Sequence, residues 1–338
     1  MKLRTSYLGL SLRHPVIASA SPQSATIDGI RRLEDGGAAA VVAAPVYEEK
    51  LLAEEAAFEA ASAIGAESYA EVTSYLPPLP GYRGALAAHV EMIRRAAESV
   101  SVPLIAGLNG ITHDGWTGIA ADLQEAGAAA LELNLFHIPT DTGETSAEVE
   151  ARLVETVRQV CATVTVPVAV KLGPTFTAPA RLALEIAAAG ASGLVLFARS
   201  YEPDIDLETL AFGPSLRSSA AEEIGLSLMW IALLAGKTPL GLAAARGVEG
   251  SEEVIKYLLA GADVVQVASS LLLYGPGHLD HMVADLAEWV EAHGADSVDE
   301  IRGRLCADRL ARPEAVLRAQ YVRALRREYP VRHIGRAA

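Results

Sequence analysis

Ala126-Gly127-Ala128-Ala129-Ala130-Leu131-Glu132-Leu133-Asn134-Leu135-Phe136-His137-Ile138-Pro139-Thr140-Asp141 joins a helix ending, a buried strand and a polar loop. Gly127 suits the left-handed residue that follows a helix, and the apolar run from Ala130 to Leu135 reads as a strand covered on both faces. Glu132, Asn134 and His137 therefore gather towards the strand's C-terminal edge, where parallel sheets keep their active sites.

The same phrase recurs along the chain. Gly36-Gly37-Ala38 precedes Ala40 to Ala44, Ala189-Gly190-Ala191 precedes Gly193 to Phe197, and Ala260-Gly261-Ala262 precedes Val264 to Ala268. Two more strands, Val102 to Leu108 and Val166 to Leu172, follow helices ended by a Val-Pro dipeptide. Pro15 to Ala20 and Pro239 to Ala245 complete eight predicted strands. Helical patterns lie between them at Ile27 to Glu34, Ala85 to Ser99, Trp116 to Glu125, Ser146 to Ala162, Ala178 to Ala188, Ser219 to Leu234 and Glu252 to Leu259. This rhythm predicts an α/β fold, a (β/α)₈ TIM barrel. A doubly wound sheet would want Gly-x-Gly-x-x-Gly after the first strand, where the chain has Ser21-Pro22-Gln23-Ser24. A β-hairpin around Ser6 to Leu12 is expected to cover the bottom of the barrel. Residues 1–338 read as a single domain, with the barrel over about 13–275 and a C-terminal helical extension over about 276–330. That extension carries helices near Leu279 to His293, Val298 to Leu305 and Pro313 to Arg327. Glu48 to Pro80 and Ser200 to Ser218 are long excursions at the top, read as loops with some helix.

Composition narrows the function. With 338 residues and 51% hydrophobic content the chain can bury a large core. A net charge of −14 argues against nucleic acid and anionic membrane surfaces, leaving a small molecule as the expected partner. No signal-peptide core and no uninterrupted membrane span is visible, so a cytoplasmic location is expected. The only cysteines, Cys161 and Cys306, stand far apart, which rules out a thiolate zinc or iron–sulfur site, and no metal ligand set is expected. A homodimer is the expected assembly.

Asn109, Asn134 and Lys171 interrupt or end apolar strands. An ammonium inside Val168-Ala169-Val170-Lys171-Leu172 needs an anionic or electron-rich partner, either a ligand or simply Glu132 on the next strand. The asparagines offer donors and acceptors to a planar heterocycle, although one asparagine alone could merely cap a loop. Arg246-Gly247 and Ser269, at the ends of strands seven and eight, occupy the usual phosphate position of such barrels, or else form plain turns. His137 either moves a proton near neutral pH or packs against Tyr75 or Pro77.

Several stretches carry a resemblance: Tyr7-Leu8-Gly9-Leu10 with His14 to Ser21, Asn109-Gly110, Glu132-Leu133-Asn134, Ile138 to Asp141, Val168 to Leu172, Pro203 to Glu208 and Gly275 to Leu279. Together they make the chain resemble the dihydroorotate dehydrogenase family of FMN barrels, and more closely its dihydroorotate-dehydrogenase-like branch. The resemblance implies FMN across the barrel top, with Ala18, Ser19 and Ala20 beneath its ring and Asn109 and Asn134 on ring or substrate. It further implies Lys171 at the flavin's N1/O2 side, stabilising the anionic reduced form, and Arg246, Gly247 and Ser269 around the phosphate.

Departures from the family pattern bear on the reaction. Phe136 and His137 occupy the place of the family's Cys or Ser base, and Ala43-Ala44-Pro45-Val46 lacks its second lysine. Ala245-Arg246-Gly247 replaces Thr-Gly-Gly, while Ala198 and Met229 stand where Asn and Arg are usual. Arg246 would either clash with FMN or place a guanidinium on its phosphate. The expected function is FMN-dependent hydride transfer with a small dihydro or unsaturated substrate other than dihydroorotate, with His137, Lys171 and Asn134 as catalytic residues. The electron acceptor would be a soluble molecule or another protein. The rival is a degenerate, non-catalytic homologue that binds an altered ligand, or none, as a partner subunit.

Overall fold

The computed structural model describes residues 3–48, 51, 53–54, 84–109, 113–135, 138–199, 203–213 and 218–311, with backbone only at 113–115. The chain opens with an antiparallel hairpin, β1 (Thr5–Tyr7) and β2 (Leu10–Leu12), as the sequence predicts. Next come β3 (Val16–Ala18), α1 (Ile27–Asp35), β4 (Val41–Val42), β5 (Val46–Tyr47) and α2 (Ala85–Ser99). They are followed by β6 (Leu104–Asn109), α3 (His113–Glu125), β7 (Ala130–Leu135), α4 (Ser146–Thr163), β8 (Val168–Leu172), α5 (Pro179–Ala188) and β9 (Gly193–Leu196). A second hairpin, β10 (Asp204–Asp206) and β11 (Ala211–Gly213), precedes α6 (Ile224–Leu234), β12 (Gly241–Ala244), α7 (Ser251–Ala260) and β13 (Val264–Val267). Helices α8 (Ser269–Tyr274), α9 (His278–Ala292) and α10 (Val298–Ile301) follow the last strand.

The large sheet runs β4-β3-β13-β12-β9-β8-β7-β6-β5, and a further β4–β6 pairing closes it. All its pairings are parallel, giving a closed 8-strand barrel surrounded by helices. The predicted fold class therefore stands.

Proline accounts for most boundary differences. Expected strands beginning at Pro15, Val102 and Val166 begin instead at Val16, Leu104 and Val168, each directly after a proline that has no N–H for the ladder, and the one expected from Pro239 begins two residues on, at Gly241. Strand two, expected over Ala40 to Ala44, is the shorter β4, and a further short strand, β5, follows Pro45. In the excursion from Ser200, the described residues hold the antiparallel hairpin β10–β11, where Asp204-Ile205-Asp206 alternates with period two. Most of Glu48 to Pro80, and the helix expected at Pro313 to Arg327, lie outside the described residues.

Two apolar cores result. The outer one packs strand residues such as Leu131, Leu133, Val168 and Val170 against helix residues such as Leu123, Val157 and Ile186. The inner one fills the barrel with Ile17, Val42, Ile105, Ala130, Ala169, Val195, Ala243 and Val264, closed below by Tyr7, Leu8 and Leu12 of the first hairpin. Among the described residues, no helix is long and apolar enough to cross a membrane.

Candidate active site

Because strand residues alternate between faces, the residue two beyond each inner-core position sits one layer nearer the C-terminal rim. Above Ala130, Ala169, Val264 and Ile17 stand Glu132, Lys171, Gln266 and Ser19, all buried. Register sets them side by side: Glu132 pairs with Ala169, Asn134 with Lys171, and Gln266 with Ile17.

These four side chains form one network. Lys171 Nζ donates to Gln266 Oε1 at 2.9 Å, to Glu132 Oε1 at 3.1 Å and to Ser19 Oγ at 3.3 Å. Ser19 Oγ donates to Gln266 Oε1 at 2.9 Å, and Gln266 Nε2 donates to Glu132 Oε2. An ammonium has three protons, so Lys171 spends all of them on the protein. Of the two partners anticipated for Lys171, the carboxylate of Glu132 is present. In such a buried pair, attraction and desolvation are each several kcal/mol and largely offset one another.

A cavity of about 560 Å³ opens above the network, within the range of small-molecule sites. Ser19, Ala20, Asn109, Asn134, Lys171, Arg246, Gly247 and Ser269 all line it. Ala18 does not: its side chain is fully buried in the outer core, because odd and even positions of β3 face opposite ways. His137 and Phe136 lie outside the described residues. The cavity wall also includes Ala44, Pro45 and Ala198, three of the positions that depart from the family pattern, but not Met229. A larger cleft of about 720 Å³, lined by Trp116, Asp141, Arg152 and Phe176 among others, contains none of the network residues. The smaller cavity is therefore the candidate site.

Asn134, which lines it, has its Oδ1 buried and without a hydrogen-bond partner among the described residues. Such an acceptor costs about 1–3 kcal/mol unless a donor reaches it.

The opposite rim is polar. Arg246, at φ 88°, donates from Nε to Glu223 Oε2 at 2.7 Å, so its guanidinium already has a carboxylate partner. Partial burial opposes charge on Glu223, yet hydrogen bonds from the Ala220 N–H and Arg246 outweigh it and hold the carboxyl below its usual range. The Ser219 and Ser269 hydroxyls lie 3.0 Å apart. Gly247 adopts φ 70°, and a Cβ there would come within 2.7 Å of Ile224 Cγ2 and 2.8 Å of the Ala220 carbonyl oxygen. Close approach of the chain at the start of α6 is thus one reason for glycine at this position.

Sequence reasoning missed Gln266, Ser219 and Glu223. Gln266 was detectable: a carboxamide within Val264-Val265-Gln266-Val267 is the same kind of interruption that singles out Lys171. Ser219 and Glu223 carry no local signal, since only the return of the chain before α6 brings them to the rim.

The chain is similar to known proteins. The family model described as dihydroorotate dehydrogenase matches residues 80–290. A protein of Aeropyrum pernix named "Putative dihydroorotate dehydrogenase A (fumarate)" is 32% identical over 233 residues, covering 66% of this chain and 73% of the relative. The catalytic subunit of dihydroorotate dehydrogenase B (NAD(+)) from Shouchella clausii is 27% identical over 234 residues, 66% of this chain and 74% of its own. The subunit of the same name from Methanothermobacter thermautotrophicus is 26% identical over 328 residues, 89% of this chain and 97% of its own.

Proposed function

Because the chain belongs to the dihydroorotate dehydrogenase family, we propose that its barrel mouth holds FMN and that it is an FMN-dependent oxidoreductase of the CH–CH donor type. The observation that carries this reading is the cavity itself, about 560 Å³, whose wall brings Asn109, Asn134 and Lys171 together with Gly247 and Ser269. FMN, when bound, supplies a hydride acceptor for a C–H bond of a small dihydro substrate, or the reverse.

The chain's own residues do the rest. Ser19 and Ala20 form the surface beneath the ring, while Asn109 and Asn134 orient ring and substrate through their amides. Lys171 places positive charge where negative charge develops on the cofactor. Gly247, Ser269 and Ser219 form the phosphate end, with Arg246 beside them and steadied by Glu223. From its place in the sequence alone, His137 takes the proton role left by the family's Cys or Ser.

The substrate is a small dihydro or unsaturated compound other than dihydroorotate. Two features support this reading. Ala44 and Pro45 put no ammonium on the wall where the family's second lysine would contact flavin and substrate, and Phe136 and His137 replace its usual base. The test is anaerobic mixing of the FMN-loaded chain with dihydroorotate, followed at ~450 nm, where oxidised flavin absorbs. The flavin should stay oxidised; bleaching at an ordinary turnover rate of roughly 1–10³ s⁻¹ would make dihydroorotate the substrate.

A further inference from the structure

Lys171 is not a free cation. All three of its protons are taken up by Gln266, Glu132 and Ser19, and both oxygens of Glu132 are held in turn, by Lys171 and by Gln266 Nε2. The Gln266 carboxamide is oriented by both charges, its oxygen towards the ammonium and its nitrogen towards the carboxylate. Only 11% of the Lys171 side chain and 4% of the Glu132 side chain are exposed, so solvent screens this pair little. Both residues border the cavity. A ligand lying there meets a fixed dipole of ammonium and carboxylate, not an isolated positive charge.

We propose that Glu132 is a positioning residue that, with Gln266, fixes and partly cancels the charge of Lys171 and thereby sets the reduction potential of a flavin bound in the cavity. The proposal rests on the FMN reading above. Reduction adds negative charge to the pyrimidine end of a flavin, so a nearby cation favours the reduced form and a nearby carboxylate opposes it. Removing the carboxylate while keeping the ammonium moves the balance towards reduced flavin. Removing the ammonium moves it the other way.

The experiment loads the full chain with FMN and measures the midpoint potential against a reference dye, together with the FMN dissociation constant. Glu132→Gln is expected to shift the equilibrium about tenfold towards reduced flavin, ~30 mV for a two-electron couple. Glu132→Asp, which keeps the charge, should return most of the way to wild type. Should Glu132→Gln fail to fold, Lys171→Met compared with Lys171→Met/Glu132→Gln makes the same test without an unpaired ammonium, and adding the glutamine must again favour reduced flavin. A flavin-loaded Glu132→Gln protein with an unchanged potential, or with one shifted towards oxidised flavin, overturns the proposal while leaving the FMN reading intact. A wild-type chain that takes up no FMN overturns the FMN reading, and this proposal with it.

Discussion

Lys171 and Gly247 show two ways in which one position can be constrained. Lys171→Met leaves Glu132 buried without its cation, and breaking such a pair costs about 3–5 kcal/mol. Urea unfolding should show this loss, together with faster escape of FMN; a variant as stable as wild type would mean that Glu132 finds another partner. Gly247→Ala puts a Cβ into the Ile224 contact at a positive φ and should cost on the order of 1–3 kcal/mol. A neutral Gly247→Ala would show that the start of α6 yields easily. His137→Gln bears on proton movement: flavin reduction by a true substrate should slow at least tenfold while FMN occupancy stays high. If occupancy falls with the rate, His137 is structural. Of these residues, Lys171 was legible in the sequence because an ammonium in an apolar strand is conspicuous. Its network was legible only in part: Glu132 lies on the neighbouring strand, whereas Gln266 and Ser19 reach it only when the barrel closes.

The hairpin β1–β2 plugs the barrel through Tyr7, whose ring is buried and whose hydroxyl has no partner among the described residues. Burial, reinforced by Glu132 and Asp263, pushes that phenol well above its usual range, so it stays neutral. Tyr7→Phe should therefore be neutral or stabilising by about 1 kcal/mol, since it removes an unsatisfied group. Tyr7→Ala should cost ~3–5 kcal/mol by leaving a cavity. Thermal melts decide, and a destabilised Tyr7→Phe would reveal a partner for the hydroxyl. His14, just before β3, accepts a hydrogen bond from the Val16 N–H at 3.3 Å. Burial, with Arg13 adding to it, lowers its pKa to about 4. Below its ordinary value of 6.5 the unfolded chain binds the proton and the folded chain does not, so stability falls as pH drops from about 6.5 towards 4. Between pH 7.5 and 4.5 this contributes a loss of about 2–3 kcal/mol, which His14→Asn should abolish in urea midpoints measured at both pH values. The strands were legible because continuous apolar runs mark a doubly covered sheet. Their ends were less so, since proline takes the first ladder position. The β10–β11 hairpin had a signal, the alternation of Asp204, Ile205 and Asp206, that the length of the excursion obscured.

The closed barrel brings positions as far apart as Ser19, Lys171 and Ser269 to one cavity, and its inward alternation stacks an apolar layer beneath a charged one. Its topology followed from the repeated helix–glycine–strand phrase. The chemistry did not follow so directly, because ion pairs and unpartnered atoms depend on side-chain geometry rather than on periodicity. A ligand that binds only the folded barrel stabilises it in proportion to its saturation, by about 2.7 kcal/mol at a hundred times its dissociation constant. FMN should thus raise the melting temperature in a concentration-dependent way, while riboflavin, which lacks the phosphate held near Gly247 and Ser269, should raise it less. Equal shifts would remove those residues from the phosphate site. The central claim, that the mouth of this barrel holds FMN, is tested most directly by a mass spectrum of the ligand released from freshly purified protein, taken with its absorption near ~450 nm. The account predicts yellow protein that releases FMN; colourless protein that releases no flavin and takes up none when FMN is added would contradict it.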